Sequence, residues 1–355
     1  MPPEQAVSYF DLDAKEQADL LRQMEVELGV AAAILEKDIW LCLVLEKLFE
    51  LPGKKPMVFK GGTSLSKVYK AINRFSEDID VTIDWRSLRT DAPDKEAVTA
   101  LSKTKKGQLS NQIKLQLEGH IEAIVLPELG DALRAVVPDI TTSYETDDEG
   151  KEQKDKLRVS YPSVVENTIG YLKASVLLEF GARNPIEPGE LHEISPDVAS
   201  KFPEIKFPNA KVEVLSPHRT FWEKATLIHD ECHRTTMRAE AKRMSRHWYD
   251  LARLADHEIG PRALQEPLIF ESVLLAKQTF FAYNYSRYDL CSTGHFKLVP
   301  DGELIEALRV DYEAMASSKM FYGEHLDFDA IVLRLTALQL DINAQFAKPP
   351  LDSQA

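Results

Sequence analysis

Apolar residues recur along this chain in two periods, and each change of period marks a new element. Leu20, Leu21, Met24 and Leu28 fall three or four apart, which predicts a helix over residues 12–28 ending near Gly29. Residues 31–50, AAAILEKDIWLCLVLEKLFE, are apolar over so broad a face that their helix must be nearly buried. Pro52-Gly53 closes it, and Met57-Val58-Phe59 then reads as a short apolar strand broken at Gly61-Gly62. Thr63 and Ser64 offer N-cap hydroxyls to a helix carrying Leu65, Val68 and Tyr69. After the polar turn Asn73-Arg74-Phe75-Ser76 the period drops to two over residues 78–83, DIDVTI, which is the mark of a half-buried strand.

Further along, residues 85–107 are polar and predict a mobile insert, while 109–126 and 127–137 resume helical spacing. Ile140 to Tyr161 reads as two strands around a charged, solvated tip from Tyr144 to Lys156. LKASVLLEF, residues 172–180, is an apolar strand with Glu179 near its end. Five prolines between 184 and 216 predict a connector holding one small strand at 211–214. Ser216-Pro217 then opens SPHRTFWEKATLIHDE with a cap and a proline in the places a helix start uses. SRHWYDLARLADHEI and residues 267–282, 303–317 and 328–345 follow as amphipathic helices, before a polar tail past Pro349-Pro350. The fold class expected is α+β. Residues 1–210 form an α/β catalytic domain with N-terminal helices, and residues 211–355 form a helical C-terminal domain.

Composition narrows the picture in a few places. Hydrophobic content of 44% and charged content of 28% are those of an ordinary globular chain. A net charge of −14 argues against indiscriminate coating of nucleic acid, which runs on phosphate neutralisation, but leaves room for a local basic surface. Cys42, Cys232 and Cys291 are too few and too far apart for a disulfide framework. The opening residues show no signal peptide, and the longest apolar run, Ile39 to Leu45, is too short to span a bilayer. A cytoplasmic protein with no membrane partner is expected.

Candidate chemistry gathers between Phe59 and Asp84. In a strand, residues two apart share a face, so Asp78 and Asp80 project together while Ile79 and Val81 face the core. Two carboxylates held that close repel unless a cation sits between them, and hard oxygen donors suit Mg²⁺. Gly61-Gly62 and the helix start allow the close backbone approach that phosphates need. A glycine pair alone is ordinarily a turn, and Asp-x-Asp alone is ordinarily a solvated edge. Together, in this order and at this spacing, they form a nucleotidyltransferase layout. Other features are weaker. Glu179 sits in an apolar strand, where a carboxylate needs a partner or a metal. Lys224 lies near the inner face of its helix, which calls for snorkelling or a function. His229, Cys232 and His233 fall short of zinc-site spacing. Arg219, Lys224, Arg234, Arg238, Lys242, Arg243 and Arg246 outnumber Glu223, Asp230, Glu231 and Glu240, a local basic excess suited to phosphates.

GGTSL followed by RFSEDID resembles the AbiEii/AbiGii toxin family of nucleotidyltransferases, within the polymerase-β-like superfamily. Glu36-Lys37-Asp38 ahead of the second helix resembles that family as well. RTFWEK resembles its third motif, and the run from Arg246 to Leu254 its RxxYDLxxL-type fourth motif. The four ordered motifs cover roughly residues 31 to 257. The resemblance implies a polymerase-β-like core, a mixed sheet flanked by helices, followed by the helical domain. It implies Mg²⁺-dependent transfer of a nucleoside monophosphate from an NTP, with two ions held by Asp78, Asp80 and Glu179. Gly61, Gly62, Thr63 and Ser64 would bind the β and γ phosphates. Lys224 would neutralise the leaving pyrophosphate, and Asp250 would position Lys224 or the acceptor. Arg74 and Ser76 would orient the triphosphate or the Asp-x-Asp turn. It further implies a toxin of a toxin–antitoxin or abortive-infection system, with a cognate antitoxin as partner and, for some members, the tRNA 3′ end as acceptor. Two other readings stay open here: a small-molecule, antibiotic-type acceptor, and a non-catalytic nucleotide-binding or partner-binding protein.

Overall fold

The computed structural model describes residues 7–166, 172–234, 243–318 and 321–347. Strand β1 (Val7–Ser8) leads into α1 (Ala14–Leu28). A capping box fixes the start of α1: Asp13 accepts from the Lys15 and Glu16 N–H groups, and Glu16 accepts from the Asp13 N–H. Gly29 ends it at φ 65°, a left-handed conformation glycine adopts at no steric cost. The next helix, α2 (Ala32–Glu50), is buried on nearly every side, Glu36 and Lys37 included, as its broad apolar face requires.

From β2 (Met57–Lys60) the chain passes without a break into α3 (Gly61–Lys67) and then to β3 (Asp78–Ile83). Lys60 occupies the cap position of α3 without a side-chain bond to the helix, so Thr63 and Ser64 are not N-caps as their residue types suggest. Gly61, at φ 83°, turns the strand directly into the helix and leaves no residue for a cap. Both hydroxyls are buried and point inward. Ser64 Oγ donates to the Gly61 carbonyl at 3.0 Å, and Thr63 Oγ1 donates to the Asp78 carbonyl at 2.6 Å, tying α3 to β3.

The polar stretch after β3 is helical rather than loose. Asp94 caps α4 (Lys95–Ala100), and Ser102 caps α5 (Lys103–His120). Val98 and Leu109 supply the only buried apolar side chains over 95–112 among the described residues, too few for the pattern to show. A π-helical turn, Ile121–Val125, joins α5 to α6 (Leu126–Arg134) just ahead of Pro127, which has no N–H to donate to a regular ladder. The charged tip also shrinks. β4 (Thr141–Thr146) and β5 (Glu152–Ser160) pair almost to their ends, and Asp147 closes the turn by accepting from Glu149 and Lys151.

β6 (Ser175–Gly181), β7 (Gly189–Ile194), β8 (Ile205–Lys206) and β9 (Ala210–Leu215) complete the strands. The main sheet runs β4-β5-β6-β3-β2-β9-β7, with β3–β6 and β2–β9 parallel and the other pairs antiparallel; β1 and β8 pair separately. The proline-rich segment read as a connector therefore belongs to the sheet. Its prolines lie outside the strands, and β7 is a polar edge strand whose Leu191 faces water. β9 is internal to the sheet, so the sheet continues past residue 210 to Leu215.

The helical region comprises α7 (Pro217–Cys232), α8 (Ser245–Asp256), α9 (Ile259–Leu264), α10 (Pro267–Phe280), α11 (Glu303–Ser317) and α12 (Phe328–Phe346). Its core is built on Trp222, Trp248, Phe270 and Phe296, and takes in Leu65, Ala71 and Ile72 from around α3. The second apolar core lies between the sheet, α2 and the α5–α6 run. The architecture is thus α+β, a mixed sheet flanked by helices with a helical C-terminal region. Because α3 contributes to the helical core and follows β2, it pins that region against the open ends of β2 and β3. No helix among the described residues is long and apolar enough to cross a membrane.

Candidate active site

Register settles which side chains meet on the sheet. Asp80 lies opposite Glu179 on β6 and opposite Lys60 on β2, while Asp78 lies opposite Leu177. Residues paired across strands share a face, so Asp78, Asp80 and Glu179 stand together and Ile79 and Val81 fill the core behind them. Glu179 is itself engaged by Lys156, its partner on β5. Lys60 turns to Glu223 on α7 at 2.7 Å.

Glycine is required at both positions of the pair, and the reason is visible. A Cβ on Gly61 would lie 2.0 Å from Asp80 Oδ2, and one on Gly62 would lie 2.6 Å from Arg74 Nη2 and 2.8 Å from Ser76 Oγ. The empty space beside each glycine is what lets the carboxylate and the guanidinium close over the backbone. Gly61→Ala, which also forces an alanine to positive φ, is expected to cost about 1–3 kcal/mol in stability and to displace Asp80. Denaturant unfolding reads the first effect and loss of Asp80-dependent metal binding the second.

Across from the carboxylates, α7 and α8 deliver a buried charge network. Asp250, with no solvent exposure, accepts from Arg74 Nε at 2.7 Å and Nη2 at 2.8 Å, and pairs with Lys224 Nζ at 2.9 Å. Burial alone would push the Asp250 carboxyl up, but Arg74 and Lys224 more than reverse this and hold it well below the usual carboxylate range. Lys224 is lowered as well, by burial, with Asp250 opposing the shift and Arg74 adding to it. Arg246, one turn earlier on α8, is lowered by burial and by neighbouring Arg74 and Arg243. The result is a concentration of cations, Arg74, Lys224 and Arg246, around the buried Asp250 and across from Asp78 and Asp80, a place suited to an incoming anion.

A single open cavity of about 290 Å³ joins the two halves of this arrangement. Asp78, Asp80 and Glu179 line one side, Lys224 and Arg246 another, with Gly61, Gly62, Arg74 and Ser76 between them. Thr63 and Ser64 do not reach it; they lie beneath, in the bonds that fix α3. Asp250 does not line it either, and sits behind Lys224, paired with it.

A family model for the AbiEii nucleotidyl transferase toxin of type IV toxin–antitoxin systems matches residues 43–334. The chain belongs to that family. No curated protein matches. Among solved structures, MenT4, a nucleotidyltransferase toxin from Mycobacterium tuberculosis H37Rv, is similar at 18% identity with a TM-score of 0.42, over 95% of this chain and 100% of that one.

Membership of the AbiEii family makes the protein a nucleotidyltransferase toxin, with an NTP substrate, a divalent metal and an antitoxin partner implied. Burial and the neighbouring Glu179 push Asp80 up to about 6, with Lys60 opposing, and burial and Glu77 raise Asp78. A pair of carboxylates disfavoured as anions in this way gains most from a cation. Among the described residues no three acidic, His or Cys side chains are close enough to hold a metal by themselves, and Glu179 is paired with Lys156. The two carboxylates of Asp78 and Asp80 fit a hard cation such as Mg²⁺, which takes one or two carboxylates and completes its shell with substrate phosphates and water.

Arg246, a member of the basic cluster, lines the same cavity, and so do Lys60 and Lys277, which the sequence does not single out. Arg246 had a signal, since it opens the RxxYDLxxL run, whereas Lys60 and Lys277 are ordinary lysines until register and packing place them. Of the remaining candidates, His229 is committed to the backbone: its Nε2 meets the Arg287 carbonyl at 2.9 Å and its Nδ1 accepts from the Lys297 N–H at 3.0 Å. Arg219 is buried and donates to the Glu187 carbonyl and to Ser272. Arg238, Glu240 and Lys242 lie outside the described residues.

Proposed function

We propose that this AbiEii toxin transfers a nucleoside monophosphate from an NTP to the 3′ end of tRNA in the cytoplasm, with Mg²⁺ as cofactor and pyrophosphate as leaving group. The reading is supported above all by one juxtaposition. The Asp78–Asp80 pair faces Lys224, held by Asp250, across one cavity floored by Gly61-Gly62.

Nucleotidyl transfer asks little covalent help of a protein; positioning and charge neutralisation do most of the work. Asp78 and Asp80, with Glu179 beside them, would hold two Mg²⁺ ions, which when bound supply charge neutralisation for the attacking and leaving oxygens. The backbone of Gly61 and Gly62 lets the triphosphate approach without a Cβ in the way, while Thr63 and Ser64 set the pitch of that backbone from below. Lys224 neutralises charge on the departing pyrophosphate, and Arg74 and Ser76 orient the triphosphate over the Asp-x-Asp strand. Asp250 fixes Lys224 in place. In this scheme the catalytic half ends with β9, and the helical half that follows supplies Lys224 and Asp250.

Lys224→Ala tests the reading. Arg74 still satisfies Asp250 with two bonds in that variant, so the fold should persist. Transfer is expected to fall about 10²–10³-fold, as when one preorganised transition-state partner is lost. Growth arrest on expression, relieved by the cognate antitoxin for the wild type, should disappear. Full toxicity from soluble Lys224→Ala protein would contradict the assignment.

A further inference from the structure

A second cavity, of about 320 Å³, adjoins the first and shares Asp78, Glu179 and Arg246 with it. It is lined by five cationic side chains (Lys37, Arg158, Lys173, Arg243 and Arg246) against three acidic ones. In a chain with 43 basic and 57 acidic residues this is an inversion of the general charge. We propose that this cavity seats the phosphate backbone of the acceptor RNA strand, delivering its terminal hydroxyl to Asp78 while the NTP fills the Lys224 side. The inference rests on the transfer reading above and adds to it the place where the acceptor lies.

Sheet register gives the seat its direction. Two rows of paired residues cross β3, β6 and β5 on one face, Asp80–Glu179–Lys156 and Asp78–Leu177–Arg158. The face therefore changes from acidic to basic within three strands. An anionic strand entering over β5 meets cations first and reaches the carboxylates, where metal charge is expected, last.

The cations divide into framework and receivers. Lys37 is buried against Glu77, and Arg158 is bonded to Glu145 and to Ser175 at 2.8 Å. Those two hold the wall. Lys173 is exposed, and Arg243 is 42% exposed at the side chain with Glu77 only at 3.8 Å. Arg243 is also fixed at its backbone, where its N–H donates to Asp311 at 2.5 Å. Lys173 and Arg243 thus stand at the mouth with charge to give, and Arg246 stands between the two cavities. Phosphates are recognised by such groups without regard to base sequence, which suits a shared 3′ end.

The test is binding of fluorescently labelled tRNA by polarisation, in EDTA so that no transfer occurs, over a series of KCl concentrations. Lys173→Ala/Arg243→Ala is compared with wild type and with Lys173→Arg/Arg243→Lys. Each lost phosphate contact lowers the log–log salt slope by about 0.7–0.9. The double alanine variant should lose about 1.5 from the slope and bind about ten-fold more weakly at low salt, while the charge-preserving variant keeps the wild-type slope. The melting-temperature rise given by NTP with Mg²⁺ should be the same in all three proteins. An unchanged slope in the alanine variant, failure of the wild type to bind tRNA, or loss of the NTP response in the alanine variant would each overturn the proposal. Loss of slope in a protein whose wild type labels no RNA would leave the seat standing and remove the transfer reading instead.

Discussion

Asp80→Asn should reduce nucleotide transfer by at least about 10³-fold while making the metal-free protein more stable at neutral pH. The two effects have one origin. Asp80 is largely shielded from water and sits beside Glu179, and burial first, with Glu179 adding to it, raises its carboxyl to about 6. A carboxyl whose folded pKa is raised stabilises the fold while it is protonated, at low pH, and that contribution is lost as pH rises through about 6. Above pH 7 the wild type therefore carries a cost that asparagine, of equal size, does not. In EDTA the variant should be more stable by about 2 kcal/mol at pH 8, the gap closing as the pH falls from about 6 to 4. Denaturant unfolding at pH 4, 6 and 8 measures it. A gap independent of pH would mean that Asp80 carries no such burden and that the carboxylate pair is not poised for a cation.

Asp250→Ala should be the most damaging single change to the fold. Removing this carboxylate leaves Arg74 and Lys224 buried with no counter-ion, and breaking a buried pair from one side costs about 3–5 kcal/mol. Asp250→Asn keeps an acceptor for Arg74 and should cost less. Lys224→Ala should cost least, because two Arg74 bonds to Asp250 survive. Urea unfolding of the three variants gives the order. A loss below about 1 kcal/mol in Asp250→Ala, which is what a surface aspartate would show, would sink the network described here.

The parts of this site that lie close in sequence were legible there. Alternation in DIDVTI put Asp78 and Asp80 on one face, and chain order together with an apolar strand pointed to Glu179. Contacts between distant segments were not. Arg74 and Asp250 are 176 residues apart, and no local pattern records that their side chains meet. The same limit hid Lys156 and Arg158. In EQKDKLRVS only Leu157 and Val159 are buried, so a strand whose other face is charged looked like a solvated hairpin tip. Register, which no single strand carries in itself, places those cations beside the acids. The N-cap reading of Thr63 and Ser64 failed for a related reason. Residue type suggested a cap, but the positive φ of Gly61 had already turned the strand into the helix.

Labelling decides the central claim. Purified wild type is incubated with each α-labelled NTP in turn, Mg²⁺ and total tRNA, and the products are run on a denaturing gel beside Asp80→Asn and an EDTA control. Label should enter the tRNA band with at least one NTP, map to its 3′ end, and be absent from both controls. Label that reaches only a small-molecule product, or that enters tRNA equally with Asp80→Asn, would contradict the account.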